Sequence, residues 1–162
     1  GNQLDIHLSI RRQRQMGIRD RGERGVQTAT AGAIRRLSAA GIRTSLFVDP
    51  DEKTLEISAD LGVTAVELHT GEYANAADPR EREAQLARLR SAAETAVGLG
   101  MAVHAGHGLT YENVTPVAAI APIEELNIGH SVVSRAVLVG MERAVHEMGD
   151  LIREARSGVV SS

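Results

Sequence analysis

The sequence has no cysteine, no tryptophan, one phenylalanine and two tyrosines in 162 residues. Without cysteine there are no disulfides, no thiolate zinc sites and no thiol nucleophile. Such a chain suits the reducing cytosol, without that fixing its location. Phe47, Tyr73 and Tyr111 are too few to build the stacking platforms of single-strand binders. A basic excess is lacking too: 18 Lys and Arg stand against 21 Asp and Glu, a formal net charge of -3. That balance leaves no footprint for a phosphate backbone and argues against nucleic acid as a partner. No apolar run approaches the ~18 residues of a membrane span. The N-terminus has no basic-then-apolar signal pattern, so no membrane is expected. What is present, 43% hydrophobic and 24% charged residues, is the balance of a globular protein long enough for one domain with its own core.

Residues 1–25 are the least regular. Leu4, Ile6, Leu8 and Ile10 alternate with Asp5, His7 and Ser9, which predicts a half-buried strand. Six arginines and three glycines between Arg11 and Gly25 read as a solvated loop, with a phosphate-gripping arm as the alternative. From Val26 the pattern is orderly. Val26 to Ala40 predicts a helix closed by Gly41. Arg43 to Val48 is rich in strand formers. Asp49-Pro50-Asp51-Glu52 predicts a helix start with Asp49 as cap, the helix running to about Asp60, before Gly62. Val63 to Leu68 is the next strand. Asp78-Pro79-Arg80-Glu81 repeats the start signal. The following helix carries Leu86, Leu89, Ala93, Ala96 and Val97 on one face and ends near Gly98 to Gly100. Met101 to Ala105 is a strand, Thr115 to Ile120 a short helix, and Glu125 to Ile128 another strand. A last helix aligns Met141, Ala144, Val145, Met148, Leu151, Ile152 and Ala155. Residues 157–162 read as a flexible tail.

Strands near Leu46, Val66, Val103 and Leu126 thus each lead into a helix. Alternating β and α means an α/β fold with a parallel sheet. Two architectures are open: a doubly wound sheet, or part of a (β/α)8 TIM barrel. A complete barrel takes ~250 residues, with about 200 as a minimum, so this chain is too short for a whole one and shows four clear βα units.

Sites in such folds lie at the C-terminal ends of the strands. Glu67 and His69 are expected at one such end, His104 and His107 at the next, and His130 at the one after; His7 and His146 lie elsewhere. Glu67 and His69 are two apart, so they share a face of the strand, where a carboxylate beside an imidazole can pass protons. The plainer alternative is a structural ion pair. Gly106-His107-Gly108 begins like a dinucleotide fingerprint, but Tyr111 stands where the third glycine belongs, which rejects that reading. The two glycines instead let the backbone turn tightly, with His107 projecting. Asn127-Ile128-Gly129-His130-Ser131-Val132 runs from a strand into a helix start whose exposed N–H groups attract anions. Ser131 and Ser134 as simple caps are the plainer alternative.

Four stretches carry a resemblance. Ser45-Leu46-Phe47-Val48-Asp49, His69-Thr70-Gly71-Glu72-Tyr73-Ala74, Ala105-Gly106-His107-Gly108-Leu109-Thr110-Tyr111 and Glu125-Leu126-Asn127-Ile128-Gly129-His130 resemble, in order and spacing, motifs of pyridoxine 5'-phosphate synthases. The likeness runs from about Leu37 to Arg156. It implies a (β/α)8 barrel enzyme of vitamin B6 synthesis, cytoplasmic and homo-octameric, using no metal and no organic cofactor. That family condenses 3-amino-2-oxopropyl phosphate with 1-deoxy-D-xylulose 5-phosphate into pyridoxine 5'-phosphate, inorganic phosphate and water. Carried over by motif, His107 resembles the general acid and Glu67 the carboxylate that steadies the transition state. Gly108, Gly129 and His130 resemble positions that hold the aminoketone phosphate. Only the fifth to eighth strands of such a barrel are matched. The bases that the resemblance places on the second and third strands have no counterpart, and the region before Val26 does not match. The expectation is a C-terminal half-barrel over 26–156, preceded by a divergent arginine-rich segment, and inactive alone. Two other readings stand beside it: a phosphate-ligand binding module without turnover, and a metal-dependent enzyme using Glu67, His69, His104 and His107 as ligands.

Overall fold

The computed structural model describes residues 23–159. The strand expected over Leu4 to Ile10 and the arginine-rich stretch through Gly22 lie outside the described residues, as do residues 160–162. The elements are α1 (Glu23–Ala39), β1 (Ser45–Val48), α2 (Glu52–Asp60), β2 (Ala65–His69), α3 (Gly71–Ala74), α4 (Pro79–Gly98), β3 (Ala102–Gly106), α5 (Val114–Ala118), β4 (Ile123–Asn127), α6 (His130–Val139) and α7 (Met141–Val159).

All four strands are parallel, and their spatial order is their chain order, β1-β2-β3-β4. A doubly wound sheet reverses direction at a switch point. Here there is no reversal, so each βα unit steps the same way around an arc. The result fits half of a TIM-barrel-like fold; the described residues do not close a barrel.

The strands' period of two divides the sheet into unlike faces. Leu46, Val48, Val66, Leu68, Val103 and Ala105 are buried on one face and form the core together with Leu55, Leu86, Leu89, Ala93 and Ala96 of the covering helices. The opposite face carries Phe47 beside Glu67, Glu67 beside His104, and His104 beside Glu125. A second, smaller cluster of Val114, Val132, Ala144 and Met148 binds α5, α6 and α7 together.

Two aspartates start helices, and one is not the residue expected. Asp78 is extended, and its side chain accepts from Glu81 N at 2.8 Å, while Glu81 Oε2 accepts from Ala77 N at 2.8 Å. The α2 cap is Asp51, whose carboxylate accepts from Thr54 N at 3.0 Å, and not Asp49. Asp51 N donates back to Asp49 O at 2.9 Å, a tight turn about Pro50 that leaves Asp49 outside the helix. Other boundaries also differ. Glu23 to Gly25 belong to α1 and not to a loop, because the helix extends a turn before Val26. Val97 is 49% exposed and Met141 49% exposed, so neither joins its helix's buried face. Ser157 to Val159 continue α7, with Ser157 Oγ donating to Glu154 O at 2.9 Å.

Two outcomes are expected. Asp51→Ala and Asp78→Ala each lose about 1 kcal/mol of stability, the usual worth of a side-chain cap, measured by urea denaturation. The chain self-associates, because the inner face of the sheet is only half covered and Val137 and Leu138 on α6 are 82% and 80% exposed. Light scattering that returns a monomer at all concentrations contradicts this.

Candidate active site

Beyond β3 the chain makes an unusual turn. His107 has φ +82° and Gly108 φ +83°, two successive residues in the left-handed region. Glycine adopts this freely; histidine does so at a cost. Thr70, at the end of β2 and fully buried, holds the turn. Its Oγ1 stands 2.7 Å from Gly106 O and 2.6 Å from His107 O, and its N donates to Gly106 O at 2.9 Å. Gly106 is demanded by space. A Cβ there would lie 2.7 Å from Glu67 Oε1 and 2.9 Å from the backbone oxygen of Asn127. Gly108 backs onto α3, where a Cβ would come within 2.7 Å of Ala74 Cβ.

The loop after the turn is braced internally. Asn113 accepts from Thr110 N at 2.7 Å and donates to Gly108 O at 3.2 Å. Tyr73 Oη donates to Asn113 O at 2.8 Å, and burial pushes its phenol up from the ordinary range. Tyr111 Oη donates to Ala144 O at 2.8 Å. The tyrosines of the two motifs are therefore anchors in the wall. Ser131 is not a cap: its Oγ donates to Leu109 O at 2.8 Å and ties the start of α6 to the loop after β3. Gly129 holds the N-cap position of α6 without a side-chain bond, and a Cβ on it would meet no protein atom within 4 Å.

These constraints leave a cavity of about 440 Å³ at the C-terminal edge of the sheet. Glu67, His107, Gly108, Gly129 and His130 all line it, joined by Phe47, Asn127 and Ser131. Glu67 is buried, 6% exposed, while His107 and His130 are exposed. Phe47 and Asn127 are lining residues that the sequence reading passed over. Their signal was period two: each lies on the same face of the sheet as Glu67.

Two of the singled-out histidines are elsewhere. His104 is the middle residue of β3, half-buried between Glu67 and Glu125 in register, not at a strand end. His69 ends β2 and is not among the residues that line the cavity, its ring 4.9 Å from that of His107 and its Nδ1 3.4 Å from Asp49 Oδ1. Among the described residues no group of three or more His, Cys, Asp or Glu side chains is placed to hold a metal ion, so the metal reading has no ligand set there. No helix among them is long and apolar enough to cross a membrane.

The sequence profile of the family described as pyridoxal phosphate biosynthesis protein PdxJ matches residues 23–154. The chain belongs to the PdxJ family. A pyridoxine 5'-phosphate synthase from Magnetococcus marinus is 54% identical over 125 residues, 77% of this chain and 51% of that protein. The chain thus spans about half the length of this curated relative. Among solved structures, the Amycolatopsis orientalis BexX/CysO complex contains a chain that superposes with a TM-score of 0.60 at 18% identity, over 84% of this chain and 52% of that one. That likeness concerns the fold alone. The family match begins at Glu23, where α1 begins.

Gly106→Ala is expected to cost ~1–3 kcal/mol through overpacking, because the backbone oxygen of Asn127 has little freedom to retreat. Thr70→Val removes the donor shared by two carbonyls and is expected to cost ~1–3 kcal/mol. Urea denaturation measures both. Amide exchange at His107 and Gly108 should quicken in Thr70→Val and stay unchanged in Asp78→Ala.

Proposed function

We propose that this chain carries the general acid, the buried carboxylate and the aminoketone-phosphate contacts of a pyridoxine 5'-phosphate synthase site. The observation that supports the reading is that Glu67, His107, Gly108, Gly129 and His130 line one cavity. The proposed reaction joins 3-amino-2-oxopropyl phosphate to 1-deoxy-D-xylulose 5-phosphate through imine formation, loss of phosphate, ring closure and dehydration. Every one of those steps moves a proton, so an acid that reaches the reacting atoms is needed. His107 projects from a turn that cannot easily relax and delivers that proton. Glu67, facing the same space from β2, steadies positive charge that develops on the amine-derived nitrogen. The phosphate of the aminoketone sits at the start of α6, where the first N–H groups have no intrahelical acceptor and the helix end is partly positive. Gly129 leaves room for it, and His130 adds a donor. Inorganic phosphate, as product, takes the same kind of contact. The homo-oligomeric state and the half-barrel over residues 26–156 belong to the same proposal.

Binding tests the reading. Titration with inorganic phosphate is expected to move the amide signals of Gly129 to Val132 at millimolar concentration. Titration with 3-amino-2-oxopropyl phosphate should move those of His107 and Gly108 as well. Gly129→Val, whose Cβ meets no protein atom within 4 Å, should fold and bind more weakly, while His146→Gln should bind as the parent does. Signals that move no more than those of Arg11 to Arg24 would overturn the reading. Identical patterns for the two ligands would leave a plain phosphate binder.

The 162-residue chain by itself is expected to form no pyridoxine 5'-phosphate from the two substrates. The bases that the resemblance places on the second and third strands have no match here. Groups that act as a unit lose most of their effect when some are removed. Product formation by the purified chain contradicts this expectation.

A further inference from the structure

The turn at Gly106 to Gly108 fixes the backbone of His107 but not the direction of its exposed side chain. An imidazole on an exposed turn ordinarily samples several rotamers. Here three neighbouring strand ends converge on it. Asp49 follows β1, His69 ends β2 and His107 follows β3. The His107 ring lies 4.9 Å from the His69 ring at 53°, and 6.2 Å from the Phe47 ring.

His69 is itself tightly confined. Its Nδ1 stands 3.4 Å from Asp49 Oδ1. Phe47 meets its ring edge-on at 5.2 Å and 69°. On its far side the ring fills the space that Gly71 leaves open: a Cβ at Gly71 would lie 2.6 Å from Nε2 and 2.7 Å from Cε1. Only 25% of the His69 side chain is exposed, against 50% for Asp49. Contacts on these sides leave the His69 ring little room to turn.

We propose that Asp49 and His69 are a positioning pair for His107: the carboxylate of Asp49 holds the His69 imidazole, and that ring sets the direction in which His107 enters the cavity. The catalytic meaning of the pair rests on the reading of His107 as proton donor; the placement of the ring does not. Asp49 is free for this task because Asp51, and not Asp49, caps α2.

The test follows the histidine ring signals and the side-chain couplings of His107 by NMR in the 162-residue chain. Asp49→Asn is expected to shift the ring signals of both His69 and His107. The backbone amides of His107 and Gly108, held by Thr70, and the ring of His146 on α7 should stay in place. His69→Ala should leave His107 averaging over rotamers. His69→Phe, which keeps a ring but no Nδ1, should restore a single rotamer that no longer responds to Asp49→Asn. A His107 ring that ignores both Asp49→Asn and His69→Ala overturns the proposal. Should His69→Ala lose its folded amide spectrum, Asp49→Asn decides alone: Asp49 is half exposed and caps no helix, and an unmoved His107 ring then overturns the proposal. These signals report where His107 points whether or not it donates a proton. A failure of the ligand titrations above therefore stays distinct from a failure here.

Discussion

One buried hydroxyl holds the geometry on which the cavity depends. Thr70 Oγ1 has a single proton and two carbonyl oxygens within reach, those of Gly106 and His107. A residue other than glycine in the left-handed region costs on the order of 1–3 kcal/mol and persists only where its surroundings over-determine it. Thr70 supplies that determination from an adjacent strand, aided by its own N–H. Because the donor directly follows β2 and the acceptors are the last residue of β3 and the one after it, the strain at His107 is offset by the pairing of the two strands and not by the loop. The turn cannot open without loosening the sheet edge.

From that point the constraint passes along the rim. Asn113 holds Gly108 O, and Tyr73 holds Asn113. Ser131 then reaches from the start of α6 to Leu109 O. The two glycine turns are thus parts of one hydrogen-bonded rim, although 21 positions separate Gly108 from Gly129. A group held by the N-terminus of α6 and a group facing His107 therefore keep a defined separation, and such preorganisation is what proton transfer within a bound ligand needs.

The fold was largely legible because its signals are local. Hydrophobic period, the Asp-Pro start at Asp78 and the glycines at 41, 62 and 100 each state a boundary without help from the rest of the chain. The Asp49-Pro50-Asp51-Glu52 signal was ambiguous for a physical reason. Both aspartates are followed three positions later by a residue able to complete a cap, and only the turn about Pro50 decides between them. His104 looked equivalent to His107 because both lie near the end of one predicted strand. Register shows one in mid-strand and the other past its end. Thr70 gave no warning at all. Its role depends on a contact 36 positions away in the chain, and nothing in a threonine at a strand end announces that it will clamp a neighbour's turn. The convergence of Asp49, His69 and Phe47 on His107 was equally hidden, since it exists only once three strands stand side by side.

The two faces of the sheet carry the last step of the reasoning. A parallel sheet buried on both sides reads as a continuous apolar run. On the helix-covered face this chain obeys that rule with Leu46, Val66, Val103 and Ala105. On the other face the row across the strands is Phe47, Glu67, His104 and Glu125. Packing does not call for such a row. Glu67 is only 6% exposed, and acidic side chains are seldom buried so far. It lines a cavity together with a strained histidine, His107, and with both glycine turns. A buried carboxylate next to backbone strain held by a dedicated clamp is an arrangement that core packing alone does not ask for, and it supports the ligand site proposed at this edge of the sheet.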